Sequence, residues 1–192
     1  MSILKVLVVP NKIFNTKTRN LSREEILSPE IQKLIKDIKE TSKNGEYGVG
    51  MSAVQVGVPV ALSVIAIKPT PNRPNLKPFG KVCINTKIIE TFGDKIPMWE
   101  GCCSVLDEKN EPLYAMVPRY KKIKIQYDDE QGNRHEEIVS DFVAHVIQHE
   151  TDHNNGIMFT DYIDENSLIK NQDYHFISQI EQNPNSKKRL AD

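Results

Sequence analysis

The sequence predicts a single α+β domain, with antiparallel or mixed β-sheets built around a central helix that carries a metal-binding His-Glu-x-x-His run. Three observations predict it. Ile123, Ile125 and Tyr127 alternate with polar residues, Asp129-Glu130-Gln131-Gly132-Asn133 turns the chain, and His135 to Val139 returns it, which makes a hairpin. Ser28-Pro29-Glu30 starts a helix, with Ser as N-cap and Pro at the first helical position, and Ile31, Leu34, Ile35 and Ile38 then share one face. Phe142, Val146, His149 and His153 recur at helical spacing, so both histidines of His149-Glu150-Thr151-Asp152-His153 continue an apolar stripe and point into the body.

The remaining elements follow in chain order. Met1 to Lys5 opens an apolar run that ends at Pro10 and reads as a first strand. On the helix after Ser28, Lys33, Lys36, Lys39 and Glu40 form a solvated face. Val60 to Ile67 reads as a buried strand, and Lys81 to Phe92 as a strand pair or one bent strand. Between them Lys68 to Gly80 is dense in Pro, Asn and Lys and has no period, which predicts an exposed loop. From Asp164 a final helix is expected, carrying Leu168 and Ile169 and extending toward Phe176, Ile177 and Ile180. The domain is expected to span 1–182, with a flexible polar tail over 183–192.

The pair His149 and His153 is the most informative feature of the chain. Their i, i+4 spacing aims two imidazoles at one point, about 6 Å apart along the axis, and Glu150 lies close enough to handle a proton of an attacking water. Buried as plain core residues, two imidazoles and a carboxylate would need several polar partners to offset desolvation, whereas one cation supplies that partner. A site of this type needs a third protein ligand and leaves a position open for water. Trp99-Glu100-Gly101-Cys102-Cys103-Ser104 offers a thiolate upstream; Glu165 or Glu181 downstream would make a zinc endopeptidase. The longer pattern with a third His is excluded, because Phe159 stands at that position.

Earlier still comes Gly48-Val49-Gly50-Met51-Ser52-Ala53-Val54-Gln55. Together with Glu100-Gly101-Cys102-Cys103-Ser104 and Gln148-His149-Glu150-Thr151-Asp152-His153, in this order and spacing, it resembles the three motifs of the peptide deformylases. Ile84-Asn85, Val117-Pro118-Arg119 and Asn155-Gly156-Ile157-Met158-Phe159 agree further, and the resemblance runs from Leu4 to about Ile163. It implies Cys102, His149 and His153 as metal ligands and Glu150 as general acid and base. It makes Gln55 and the backbone N–H of Cys103 oxyanion donors, and places Gly48, Val49, Gly50, Glu100, Gly101 and Val146 about the substrate, beside an apolar pocket for a methionine side chain. It implies removal of formyl from the N-terminal formyl-methionine of nascent polypeptides. Fe(2+) is the expected cofactor, with Zn(2+), Ni(2+) or Co(2+) able to occupy the site; the Cys, His, His set alone does not choose among them. A deformylase-like protein that binds such peptides without turnover is the alternative, against which the intact Glu150 and Gln55 argue.

The chain departs from the family pattern in places. Ser52 stands at an Ala position and its hydroxyl needs a partner; Cys103 replaces the usual Leu; Asn154 replaces an apolar residue and is expected to loosen the last helical turn. Val105 to Met116 is expected to be a longer loop flanking the substrate entrance, with Tyr114 where many relatives carry Arg. Composition bounds the rest. With 192 residues, 39% hydrophobic, and a net charge of -1, the chain has core enough for one domain and no electrostatic case for specific nucleic-acid or membrane-surface binding. Three cysteines, two of them adjacent, make no disulfide framework, and a thiolate ligand needs a reducing compartment, so a cytoplasmic location is expected. Lys187-Lys188-Arg189 suggests transient ribosome contact.

Overall fold

Apolar residues at every second position dominate the middle of the chain, and they form one five-stranded sheet, antiparallel throughout rather than mixed. The structure, a computed structural model, describes residues 2–44, 49–69 and 76–175. The strands are β1 (Gly50–Ser52), β2 (Leu62–Ile67), β3 (Phe79–Leu106), β4 (Pro112–Asp128) and β5 (Arg134–Ser140), neighbours in space in the order of the chain. Around them lie α1 (Arg23–Ile26), α2 (Pro29–Asn44) and α3 (Asp141–Asn154). Among the described residues one parallel contact occurs, an isolated bridge of Arg19 with Val60.

β2 is apolar on both faces because both are covered. Leu62 and Val64 join Val82 and Ile84 under Ile31, Ile35 and Ile38 of α2. Ile65 and Ile67 join Cys83, Ile123 and Ile125 under Ala144, Val146 and Ile147 of α3. The α2 helix starts where its sequence asks, with Ser28 Oγ accepting the N–H of Ile31. Its lysines do face outward, Lys33 pairing with Asp37 and Lys39 with Glu130 across the surface.

The stretch 81–92 belongs to a single bent strand, β3, which pairs with β2 through Ile84 and then with β4. Register shifts after Ile84, Ile88, Phe92 and Gly101 bend it, so that one strand serves two parts of the sheet. Asn85 makes the first bend possible: it takes φ 55, and its amide bonds both backbone groups of Leu21 and the Asp128 carboxylate, each at 2.8 Å.

Several expectations need correction. The N-terminal segment is extended but is no strand, because its amides find scattered acceptors: Leu4 donates to Thr41 Oγ1, Leu7 to Gln55 O and Val9 to Ser104 O. Val105 to Met116 is no long loop; β3 runs to Leu106, β4 begins at Pro112, and Asp107 turns the chain by capping the N–H groups of Lys109 and Glu111. The helix expected from Asp164 is a short 3-10 turn, Glu165–Ser167, capped by Asp164; Ile169 then bridges Tyr114, and α-helical backbone begins only at 171. Phe176, Ile177, Ile180, the 183–192 tail and residues 70–75 of the expected 68–80 loop lie outside the described residues, as do Gly48 and Lys187-Lys188-Arg189. Phe79 and Gly80, assigned to that loop by the sequence, already belong to β3.

Asn154 does not loosen its helix. The helix runs to Asn154, Asn155 caps it, and the Asn154 carbonyl accepts from both Thr18 N and Thr18 Oγ1. The side-chain amide, however, is buried with neither Oδ1 nor Nδ2 partnered. Replacing it by an apolar residue of similar size removes a desolvation cost of about 1–3 kcal/mol. Asn154→Leu is therefore expected to gain about that much stability in chemical denaturation at fixed metal content, and a loss instead would show that the amide is satisfied.

Candidate functional site

Four segments far apart in sequence meet at α3. The helix is buried nearly all round, from Ala144 to Asn154, because the sheet lies along one side and the N-terminal segment with Met158 and Phe159 closes the other. The expected stripe is real: Val146 and His153 are buried and Phe142 and His149 half-buried. The rings of His149 and His153 stand edge to face with centroids 4.7 Å apart.

Cys102, on the inward face of β3, completes the group. One donor atom each from Cys102, His149 and His153 lie within 4.8 Å of one another, and Cys102 Sγ is 3.4 Å from His153 Nε2. A tetrahedral metal with bonds of roughly 2.0–2.3 Å holds its donors up to roughly 4 Å apart, so this set fits such an ion with little movement. Electrostatics fit as well. Burial, and then the neighbouring His149, hold His153 well below its ordinary pKa, leaving a neutral ring with a lone pair to give. The neighbouring Cys103 thiol, and then burial, keep the Cys102 thiol protonated in the absence of a cation; a divalent charge is what reverses that. Glu165, the endopeptidase candidate, is exposed in its 3-10 turn and outside the group; Glu181 is outside the described residues.

Glu100 orients the centre. Its Oε2 bonds His149 Nδ1 at 2.8 Å, which turns the other ring nitrogen toward Cys102 and His153. Its Oε1 takes His145 Nε2 at 2.9 Å and Arg119 Nε at 2.5 Å, and Arg119 reaches on to Asp152 at 2.5 Å. Burial opposes the charge on Glu100, yet the bonds from His145, His149 and Arg119 outweigh it and hold the carboxyl far below the usual range. The sequence placed Glu100 beside the substrate, whereas its oxygens are taken by these side chains. His145 and Asp152 were missed. His145 was legible, since His145, His149 and His153 recur every fourth residue along one helix.

Glu150 has the opposite environment. Burial raises its pKa to about 7, with His149 partly opposing, and Oε2 is buried with no partner. Its Oε1 lies directly over Gly50 of β1, where any side chain would come within 2.3 Å of it. Gly50 is therefore glycine for space. Gln55, in the 3-10 turn Ala53–Val56, is 1% exposed. Ser52 N–H donates to its Oε1 at 2.9 Å, fixing the amide so that Nε2 faces Cys102 Sγ at 3.4 Å and Cys103 Sγ at 3.2 Å. The additional Ser52 hydroxyl finds the same oxygen, at 3.4 Å.

Val49 and Val146 share an apolar cluster with Ile65 and Phe142, on the α3 side. Gly101 pairs with Tyr114 across β3 and β4, and the Tyr114 ring lies flat against Tyr174 at 4.0 Å and closely over the Gly101 Cα. Among the described residues β1 pairs only with β2, and Ile96 to Gly101 only with β4. Each therefore leaves one edge unpaired beside the centre, Gly50 next to Glu150 and Gly101 next to Cys102.

Comparison with known proteins identifies the family. The family model described as Polypeptide deformylase matches residues 3–168. The chain is 34% identical over 167 residues to the peptide deformylase of Christiangramia forsetii, covering 83% of this chain and 81% of the relative. It is 33% identical over 153 residues to peptide deformylase 2 of a Nostoc species, covering 79% of this chain and 82% of the relative. In structure it is similar to the Met-Ala-Ser-bound class I type b peptide deformylase of Acinetobacter baumannii, with a TM-score of 0.75, 30% identity, and coverage of 84% of this chain and 99% of that one. A buried thiol, two imidazoles and a carboxylate thus converge in a chain matched along most of its length, and the chain belongs to the polypeptide deformylase family.

Proposed function

We propose that this centre removes the formyl group from the N-terminal formyl-methionine of nascent polypeptides, as the family does, and that Cys102, His149 and His153 hold the metal. The convergence of their three donors beside Glu150 is the observation that carries the assignment. Cys102, His149 and His153 would hold a divalent cation, which would supply Lewis acidity for the hydrolysis. Fe(2+) is the ion proposed, with Zn(2+), Ni(2+) or Co(2+) as substitutes the same donors accept.

Glu150, unpaired at Oε2, takes the proton of the attacking water and passes it to the departing amine. As the formyl carbon becomes tetrahedral its oxygen gains charge, and Gln55 Nε2 with the N–H of Cys103 receives it; fixed donors in this role contribute about 3–4 kcal/mol each. The peptide adds as a strand to the unpaired edge at Val49 and Gly50, with Gly101 opposite and the methionine side chain turned toward Val49 and Val146. A transient contact with the ribosome through Lys187, Lys188 and Arg189, in the cytoplasm, suits a substrate that emerges there. Among the described residues no helix is long and apolar enough to cross a membrane.

Formate release from formyl-Met-Ala-Ser by anaerobically prepared Fe(2+) protein tests the reading. The wild type is expected to turn over and Glu150→Ala to lose about 10²–10⁴-fold in kcat. Silence from a metal-loaded wild type would leave a peptide-binding protein instead. Cys102→Ala is expected to abolish tight metal binding in equilibrium dialysis; retention of a full equivalent would place the third ligand elsewhere.

A further inference from the structure

Only the backbone N–H of Cys103 has a role in the proposed reaction, yet its sulfur stands in the centre, against Gln55. Successive side chains of a regular strand point to opposite faces. Here β3 leaves register with β4 between Gly101 and Leu106, and both Cys102 Sγ and Cys103 Sγ lie against one donor, Gln55 Nε2, at 3.4 and 3.2 Å. Ser104 Oγ reaches the same donor at 3.2 Å, but the two thiols are also hydrogen-bonded to each other, which turns both sulfurs toward one another. Cys102 is buried and Cys103 half-buried, so Cys103 is the one a small oxidant reaches first. Cys83, the remaining cysteine, is packed in the core under α3.

We propose that Cys102 and Cys103 form a reversible peroxide-oxidation site, closing to a disulfide between adjacent residues. The Cys103 sulfur attacks a hydroperoxide, breaking the O–O bond to give a sulfenic acid and releasing water or alcohol. Cys102 Sγ then attacks that sulfur, and the sulfenic oxygen leaves as water, so two thiols lose two electrons and two protons to one peroxide. Ring closure disturbs no ladder pair with β4, because Cys102 to Val105 have none. Adjacent Cα atoms lie about 3.8 Å apart, shorter than the usual span of a disulfide, so the bond is strained and readily reopened by a dithiol. The functional consequence rests on the ligand assignment above: Cys102, once in a disulfide, no longer serves as the third donor, and the metal leaves. Trapping the first oxidation product this way also spares the site from irreversible sulfinic and sulfonic acids.

The full-length metal-loaded protein, treated with one equivalent of hydrogen peroxide, gives the test by intact mass, thiol titration and metal retained after desalting. The wild type is expected to lose about 2 Da, keep only the Cys83 thiol and release its metal, with mass and thiols restored by dithiothreitol. Cys103→Leu is expected to gain oxygen atoms that dithiothreitol does not remove, and Cys103→Ser serves where that variant folds poorly. Oxygen uptake by the wild type in place of the disulfide, or a disulfide that maps to Cys83 or joins two chains, overturns the proposal. Disulfide closure without metal loss would uphold the oxidation site and count against Cys102 as ligand, while absence of formate release from untreated protein bears on the enzymatic reading alone.

Discussion

A carboxylate removed from water survives as a charge only where donors replace the water, and at Glu100 they number three side chains from two elements. Arg119 comes from β4; His145 and His149 come from α3; Glu100 itself is on β3. The arrangement joins the long bent strand, its partner and the central helix at one point, directly behind the group formed by Cys102, His149 and His153. Breaking a buried pair of this kind by removing one partner typically costs about 3–5 kcal/mol, which is a large share of a domain's stability. Positioning of the imidazole and stability of the sheet are in this sense the same interaction.

The two buried glutamates of the site show how one environment separates two identical side chains. Glu100 is surrounded by donors and held ionised; Glu150, a few residues' reach away on the same helix as His149, has no donor at Oε2 and is raised to about 7. The first can only orient. The second can exchange a proton near neutral pH, and Gly50 leaves it room to do so beside the edge at which a peptide would bind. Gln55 is held in the same manner, by one backbone N–H that settles which way its amide faces.

What the sequence revealed follows from how local each signal is. The α2 start, the β4–β5 hairpin and the inward stripe of α3 depend on neighbours within a turn or a pleat, and the structure has them where their residues predict. The N-terminal segment looked like a strand because its apolar pattern is right; pattern alone does not reveal that its amides bond Thr41, Gln55 and Ser104 one at a time. Val105 to Met116 looked like a loop because its charged tip hides the pairing that surrounds it. Within the site, Cys102, His149 and His153 were legible from motif spacing, and the structure brings their donors together. Arg119 and Asp152 stood in the matching segments, but their pairing was not legible, since a buried ion pair between a strand and a helix leaves no period in the sequence. Tyr114, noted only as a departure, is held by Tyr174 over Gly101, a contact across 60 residues that only the fold reveals.

Glu100 holds the His149 ring through Nδ1, with its other nitrogen turned toward Cys102 and His153. The most direct measurement is the metal affinity of Glu100→Gln, by competition with a chelator, in protein whose circular dichroism matches the wild type. The neutral amide keeps the shape but loses the charge that His145, His149 and Arg119 share, and an affinity lower by about 10–100-fold is predicted. Unchanged affinity in the folded variant would mean that the helix alone aims the imidazole and that Glu100 does not.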